Sequence, residues 1–251
     1  MIRAVLIDLG DTLVHLNRPW DEVFSDNLES LYAFFKEEDP SLNFQEFARI
    51  FVREFERASA TSQLYKIEVP MQDIIARVLH KIGLRDVGGS FVQDAIEEFY
   101  RPEVNAWQLY PDTLVTLTAL REMRLKMGVV SNSKSDWAVR AILEKHDLSK
   151  LFDMIVTSAE LRMRKPRLDI FTQALVALDV KSSETVFVGD SLQADIIGAK
   201  TAGIRSIHVR RKPEDHPHFV VPDVAVTSLA EALAQIISWS STSLGEVSSA
   251  A

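Results

Sequence analysis

The sequence predicts an α/β fold in which a doubly wound, mostly parallel sheet carries one inserted, all-helical domain. Five short apolar runs have the length and composition of strands buried on both faces, and amphipathic helical patterns separate the later runs. Strands that alternate with helices are typical of right-handed βαβ units. A long stretch between the first two runs contains helical patterns and almost no strand pattern. These observations together predict a sheet core interrupted by a helical insertion.

The predicted core strands are short and spread over most of the chain. They occupy residues 2–7, 127–130, 154–156, 185–188 and 206–209. In doubly wound sheets the ligand lies beyond the carboxyl ends of the strands. We therefore expect the chemically active residues directly after these runs.

The insertion shows four apolar stripes with helical spacing. Asn43 and Glu46 form a capping-box pattern at the start of the second stripe, and Gly83 ends the third. Its phenylalanines are expected to form the core of the insertion; they include Phe34, Phe35, Phe51, Phe55 and Phe99.

These patterns set the predicted domain limits. Residues 1–15 and 108–240 are assigned to the sheet core, and residues 16–107 to the helical insertion. Residues 241–251 are rich in Ser and Ala, which predicts a loose C-terminal tail.

Composition excludes several classes of protein. The chain of 251 residues has no cysteine, which excludes disulfides, thiolate metal sites and cysteine nucleophiles. A net charge of −8 argues against nucleic-acid binding and against an anionic membrane surface. The apolar runs are too short for a signal peptide or a membrane span. We expect a soluble, cytoplasmic protein with neither nucleic-acid nor membrane partners.

Polar residues follow four of the predicted strands. They are Asp8 after the first run, Ser131 and Asn132 after the second, Lys165 after the third, and Asp190 with Asp195 after the fourth. A helix N-cap is the alternative explanation for Asp8 or Ser131 taken singly. Four such positions at one edge of one sheet are hard to explain as caps, and they indicate an active site.

The residues around these positions resemble the motifs of the haloacid dehalogenase superfamily. The first motif corresponds to Asp8-Leu9-Gly10-Asp11-Thr12, the second to Ser131, the third to Lys165-Pro166, and the fourth to Gly189-Asp190 with Asp195 beyond it. They occur in the family's order, and the resemblance covers nearly the whole chain. It implies a Rossmann-like core, a C1-type helical cap in the insertion, and a Mg²⁺-dependent phosphatase acting on a small phosphorylated metabolite.

The resemblance also implies a role for each residue. Asp8 would be the nucleophile that forms an aspartyl-phosphate, and Lys165 would hold nucleophile and phosphate together as a positive charge. The Ser131 hydroxyl and the Asn132 amide would donate hydrogen bonds to a phosphoryl oxygen. Oxygen ligands suit Mg²⁺; they would be Asp8, the Gly10 carbonyl, Asp190 and Asp195. For Asp195, a role beside the ligands or as a helix-end charge remains open.

Gly10 departs from the family pattern. Phosphatases of the superfamily usually carry a second Asp there as general acid and base, and glycine can do neither. General acid–base catalysis contributes roughly 10²- to 10⁴-fold in rate. Asp11 is the first candidate to replace it and His15 the second, although either residue can have a purely structural role.

Other functions of the same fold remain open at this point. A haloacid dehalogenase needs no metal, a phosphonatase needs a cap lysine such as Lys36, Lys66 or Lys81, and a phosphate-binding protein needs no catalysis. The substrate stays unidentified, and both a monomer and a homodimer are compatible with the sequence.

Overall fold

A computed structural model describes residues 1–84, 88, 90–211 and 220–245 of the chain. These residues form eight strands, which are β1 (Ala4–Ile7), β2 (Val14–Leu16), β3 (Trp107–Leu109), β4 (Lys126–Ser131), β5 (Met154–Thr157), β6 (Thr185–Gly189), β7 (Arg205–Val209) and β8 (Val224–Val226). The helices of the same residues fall into two groups. Between β2 and β3 lie α1 (Trp20–Glu38), α2 (Phe44–Tyr65), α3 (Met71–Ile82) and α4 (Phe91–Ala106).

The second group of helices accompanies the sheet. It consists of α5 (Thr113–Glu122), α6 (Asp136–Lys145), α7 (Ser158–Leu161), α8 (Leu168–Leu178), α9 (Ile197–Thr201) and α10 (Leu229–Gly245). Within the described residues, no helix is both long enough and apolar enough to cross a membrane.

Six strands form one parallel sheet in the order β5-β4-β1-β6-β7-β8. β1 lies in the middle, where Ile7 pairs with both Val129 and Val188. All four residues of β1 and all five of β6 are buried, as expected for strands covered by helices on both faces. The predicted α/β fold class is confirmed.

Two features of the strand arrangement were not predicted. β8 adds a sixth strand at the edge of the sheet, beside β7. β2 and β3 pair antiparallel as a separate ribbon, with His15 opposite Gln108. This ribbon brings the two ends of the helical stretch together beside the carboxyl edge of the sheet.

The helices α1 to α4 pack on one another through aromatic side chains. Phe35, Phe51 and Phe99 are at most 1% exposed, and the Phe51 and Phe99 ring centroids are 5.0 Å apart. The Asn43 side chain accepts a hydrogen bond from the Glu46 amide and caps α2, as expected. α3 ends at Gly83, whose φ of 81° suits glycine.

The C-terminal region differs from its prediction. Residues 241–245, expected in a loose tail, continue helix α10 to Gly245. Serine has only a modestly lower helix propensity than alanine, so a Ser-rich sequence does not by itself end a helix that already packs on the core. Residues 246–251 of the predicted tail lie outside the described residues.

Candidate active site

The carboxyl ends of β1, β4 and β6 meet at a cavity of about 290 Å³. Asp8 follows β1 directly, and its amide donates to the Val188 carbonyl at 2.9 Å. This bond aligns the start of the Asp8 loop with the end of β6. Eight site residues proposed from the sequence line this cavity; they are Asp8, Gly10, Asp11, Ser131, Asn132, Lys165, Asp190 and Asp195.

Lys165 is the positive centre of the site. Its Nζ lies 2.6 Å from Asp8 Oδ1, 2.7 Å from Asp195 Oδ1 and 2.7 Å from the Val130 carbonyl oxygen. Burial lowers the pKa of Lys165, but the charges of Asp195 and Asp8 outweigh burial, so the pKa lies above its ordinary value. The lysine is therefore a fixed cation against the nucleophile candidate.

Asn132 positions Lys165 through the backbone. Its side-chain oxygen accepts from the Lys165 amide at 2.8 Å, and its side-chain nitrogen donates to the Lys165 carbonyl at 3.1 Å. The Asn132 side chain is thus already occupied in the folded chain. The Ser131 hydroxyl, by contrast, has no hydrogen-bond partner among the described residues and faces the cavity.

Asp8, Asp190 and Asp195 form a compact acidic cluster. Each offers one carboxylate oxygen, and these oxygens all lie within 4.8 Å of one another. Thr12 joins two of the three residues, because its hydroxyl lies 3.2 Å from Asp8 Oδ2 and 3.5 Å from Asp190 Oδ1. Thr12 was not assigned a role from the sequence, although it stands within the first motif.

Asp195 is held against the end of β6. Its Oδ2 accepts the Ser191 amide at 3.0 Å, and a Cβ on Gly189 would come within 2.4 Å of that same oxygen. Only glycine fits at Gly189 with this arrangement. Asp195 Oδ1 is buried and, among the described residues, has the ionic contact with Lys165 but no hydrogen bond.

Mutual repulsion in the cluster favours a cation. Burial raises the pKa of Asp8 to about 6, against the opposing charge of Lys165. Burial and the charges of Asp8 and Asp195 raise the pKa of Asp190 to about 8. The three carboxylates have one lysine to compensate their charge, and every ligand atom that they offer to a metal is an oxygen. A hard divalent cation suits such a donor set and would offset its negative charge.

Gly10 is covered by an aromatic ring. A Cβ at Gly10 would lie 3.4 Å from Cη2 of Trp107, so the indole occupies the space next to the missing side chain. Asp11 follows at φ 55° and its amide donates to the Val14 carbonyl. His15 does not line the cavity; its ring packs on Tyr110 with centroids 4.8 Å apart.

Comparison with known proteins decides the family. A model of the haloacid dehalogenase-like hydrolases matches residues 38–209, more than half of the chain. The chain belongs to this family. The hydrolase is 30% identical to the glyceraldehyde 3-phosphate phosphatase of Methanopyrus kandleri, over 84% of its own length and 85% of that protein. It is 33% identical to the phosphoserine phosphatase of Thermus thermophilus, over 60% of its length and 62% of that protein.

Solved structures show the same fold. A 2-haloacid dehalogenase from Pseudomonas syringae pv. Tomato DC3000 superposes with a TM-score of 0.70 at 22% identity, covering 95% of the hydrolase and 100% of that chain. The family resemblance inferred from the motifs is confirmed. The C1 type of the helical cap and the domain limits stay predictions.

A further carboxyl group faces the cavity of the hydrolase. Glu103 of α4 lines it and is 8% exposed. It accepts from Asn27 Nδ2 at 3.2 Å and from Trp107 Nε1 at 3.3 Å. Burial raises the pKa of Glu103 to about 7, although both hydrogen bonds oppose the shift. No local motif surrounds Glu103, so sequence reasoning had no signal for it.

Proposed function

We propose that this hydrolase is a Mg²⁺-dependent phosphatase that cleaves small-molecule phosphate monoesters through an aspartyl-phosphate on Asp8. One observation carries the proposal. Asp8 lies 2.6 Å from a buried ammonium group and belongs, with two further carboxylates, to a cluster of oxygen ligands. Phosphoryl transfer needs such positioning and charge compensation more than it needs covalent chemistry from the protein.

The first step forms the covalent intermediate. A carboxylate oxygen of Asp8 attacks phosphorus, and the bond from phosphorus to the leaving oxygen breaks. Lys165 keeps the nucleophile oriented and neutralises charge on the phosphoryl group, while Ser131 donates a hydrogen bond to a phosphoryl oxygen. Mg²⁺ held by Asp8, Asp190, Asp195 and the Gly10 carbonyl would offset the repulsion between carboxylate and phosphate.

The second step restores the enzyme. Water attacks phosphorus of the aspartyl-phosphate, Asp8 regains its carboxylate, and inorganic phosphate leaves. The leaving oxygen gains a proton in the first step, and the water loses one in the second. With no side chain at Gly10, we expect both transfers to be slow; Asp11, which also lines the cavity, is the alternative candidate for them. His15 is disfavoured for this role because its ring packs on Tyr110.

The alternative chemistries fit the cavity less well. A phosphonatase needs a cap lysine in the site, yet Lys36 donates to Tyr32 and Lys81 pairs with Glu54. Neither of them, nor Lys66, lines the cavity. A metal-independent dehalogenase has no use for the acidic cluster. A protein that only binds phosphate does not need a carboxylate nucleophile held by Lys165.

The experiment measures phosphate release from a panel of phosphorylated metabolites with Mg²⁺ and with EDTA. We expect release that EDTA abolishes, and Asp8→Asn should reduce it by roughly 1000-fold or more because an amide is not a nucleophile. Asp190→Asn should weaken activity and Mg²⁺ binding together. Asp169→Asn, at an exposed residue paired with Arg167, is the control and should behave as wild type. Halide release that survives EDTA, or full activity in Asp8→Asn, would contradict the proposal.

A further inference from the structure

A second cavity of about 250 Å³ adjoins the catalytic cavity on the side of α2 and α4. The two cavities share Glu103, Asn132 and Ser133 in their walls. The second cavity is therefore placed to receive the leaving group of an ester whose phosphate lies against Asp8. Its volume suits a fragment of a few heavy atoms.

Two cations line this second cavity. Lys134 comes two residues after Asn132, and Arg164 directly precedes Lys165. Both side chains are largely buried, with Lys134 12% exposed and Arg164 23% exposed. The cations are thus close in sequence to two residues of the catalytic cavity.

A single carboxylate forms ion pairs with both cations. Glu68, with a side chain 1% exposed, lies 3.2 Å from Lys134 Nζ through Oε1 and 3.6 Å from an Arg164 Nη through Oε2. Its oxygens also accept hydrogen bonds from Ser62 and Ser158. In the part of the chain that the structure describes, no other carboxylate forms an ion pair with either cation. One net positive charge remains.

The electrostatics of Lys134 agree with an uncompensated charge. Burial lowers the pKa of Lys134, and Arg164 adds to this effect, so that Glu68 does not restore the ordinary value. The ammonium would gain from a further anion in the cavity. The Arg164 guanidinium likewise makes no side-chain hydrogen bond to the described residues, and its ionic contact with Glu68 is 3.6 Å long.

We propose that Arg164 and Lys134 bind a carboxylate on the leaving group, so that the hydrolase prefers small phosphate esters of alcohols that also carry a carboxylate. This inference rests on the phosphatase function proposed above. One net positive charge matches one carboxylate, and the planar guanidinium fork binds a carboxylate through two parallel hydrogen bonds.

Glu103 is the remaining carboxyl group in the wall of the second cavity. Burial raises its pKa to about 7, so near neutral pH it is partly protonated and repels an incoming carboxylate less than an ordinary glutamate. Its oxygens are also bound by Asn27 and Trp107. Glu103 therefore does not cancel the positive charge of Arg164 and Lys134 at the other end of the cavity.

The test compares 3-phosphoglycerate with glycerol 3-phosphate, which share a carbon skeleton and differ by a carboxylate in place of a hydroxymethyl group. Phosphate release gives kcat/KM for each ester in wild type. Calorimetry on Asp8→Asn with Mg²⁺ gives each Kd without turnover. A charged hydrogen bond predicts a preference for 3-phosphoglycerate of roughly 10- to 100-fold in both measurements.

Variants assign the preference to the two cations. Arg164→Gln and Lys134→Gln should each remove most of it, mainly through KM, whereas Arg164→Lys should retain part. Arg162→Gln is the matched control, because Arg162 lies two residues away in an exposed pair with Asp73 and should keep the full preference.

Two results would overturn the inference. One is equal kcat/KM and equal Kd for the two esters in proteins that keep Arg164 and Lys134. The other is a preference for 3-phosphoglycerate that survives in both glutamine variants. A failure of the proposed function looks different. In that case neither ester nor p-nitrophenyl phosphate is hydrolysed, while calorimetry still reports tighter binding of 3-phosphoglycerate.

Discussion

Gly10 and Trp107 show how one missing side chain changes the local environment of the nucleophile. The indole lies 3.4 Å from where a Cβ would stand, and its Nε1 donates to Glu103. A side chain introduced at Gly10 would therefore start in van der Waals contact with the ring and extend beside it. The environment beside Gly10 is thus aromatic, where the motif of the superfamily predicts a carboxylate.

A site without a general acid at Gly10 should favour substrates whose leaving oxygen departs without a proton. We expect wild type to hydrolyse aryl and acyl phosphates faster than alkyl phosphates, with a burst of product equal to enzyme before a slower steady rate. Gly10→Asp should speed alkyl phosphate hydrolysis, and pairing it with Trp107→Phe should help further by making room. Stopped-flow kinetics measures both effects. Equal rates for alkyl and aryl esters, no burst, and a loss of activity in Asp11→Asn would instead assign acid–base catalysis to Asp11.

Glu103 makes stability depend on pH. Its pKa of about 7 in the folded chain lies above its ordinary value of 4.5. The folded state therefore holds the proton where the unfolded state has lost it, and the free energy of unfolding falls as the pH rises between these values. Glu103→Gln removes this dependence. Urea unfolding measures the free energy of unfolding at about pH 5 and about pH 8. Between these two pH values, the wild type should lose roughly 2 kcal/mol more of it than the variant.

Glu97→Gln is the control for this measurement. Glu97 lies on the same helix, where it accepts a hydrogen bond from Gln93 at an exposed position. The variant should follow the wild-type dependence on pH. A Glu103→Gln protein with that same dependence would contradict the raised pKa.

At the scale of single elements, helix α2 shows a local signal that the structure confirms. The Asn43 side chain accepts the Glu46 amide at 3.1 Å, and α2 begins at Phe44. Loss of an N-cap acceptor costs about 1 kcal/mol. Asn43→Ala should lower the free energy of unfolding by that amount in urea titrations, whereas Asn43→Ser should not, because serine keeps an acceptor. Equal losses in both variants would show that capping is not the cause.

The short ribbon of β2 and β3 had no comparable local signal. Each strand has three residues, which is too few for an alternating pattern to stand out from its surroundings. Their pairing joins Val14 to Leu109, residues far apart in sequence. β8 was not predicted for the same reason, since Val224–Val226 is only three residues long and forms a strand by pairing with β7.

At the scale of the whole molecule, Glu68 connects the helices α2 and α3 to the sheet. Besides its contacts with Lys134 and Arg164, its amide donates to the Arg162 carbonyl at 3.0 Å. Nearby, the partly exposed Asp73 pairs with the Arg162 side chain across the same boundary. The two carboxylates differ in burial, since the Glu68 side chain is 1% exposed and that of Asp73 is 28% exposed.

Burial should decide how much each ion pair stabilises the molecule. Glu68→Gln leaves two largely buried cations without a charged partner, which costs on the order of 3 kcal/mol. Asp73→Asn should cost less than about 1 kcal/mol, because exposed ion pairs contribute little. Urea unfolding of the two variants beside wild type measures both. Similar losses in the two variants would show that burial does not govern these contacts.

The sequence by itself determined the fold class, the order of the motifs and eight of the residues that line the catalytic cavity. The reason is geometric. Each buried strand is a contiguous apolar run, and in a parallel sheet the residues that follow the strands meet at one edge. Asp8, Ser131, Lys165 and Asp190 could therefore be assigned to one place without knowledge of any contact between them.

Only the tertiary structure decided what surrounds those residues. The ring of Trp107 on Gly10, the carboxyl of Glu103 in the cavity, and Glu68 between Lys134 and Arg164 depend on residues distant in sequence. Burial also changed the protonation of side chains. A glutamate in water has a pKa of 4.5, whereas burial raises the pKa of Glu103 to about 7. No local pattern records either a distant neighbour or the loss of water, and both arise only when the chain packs.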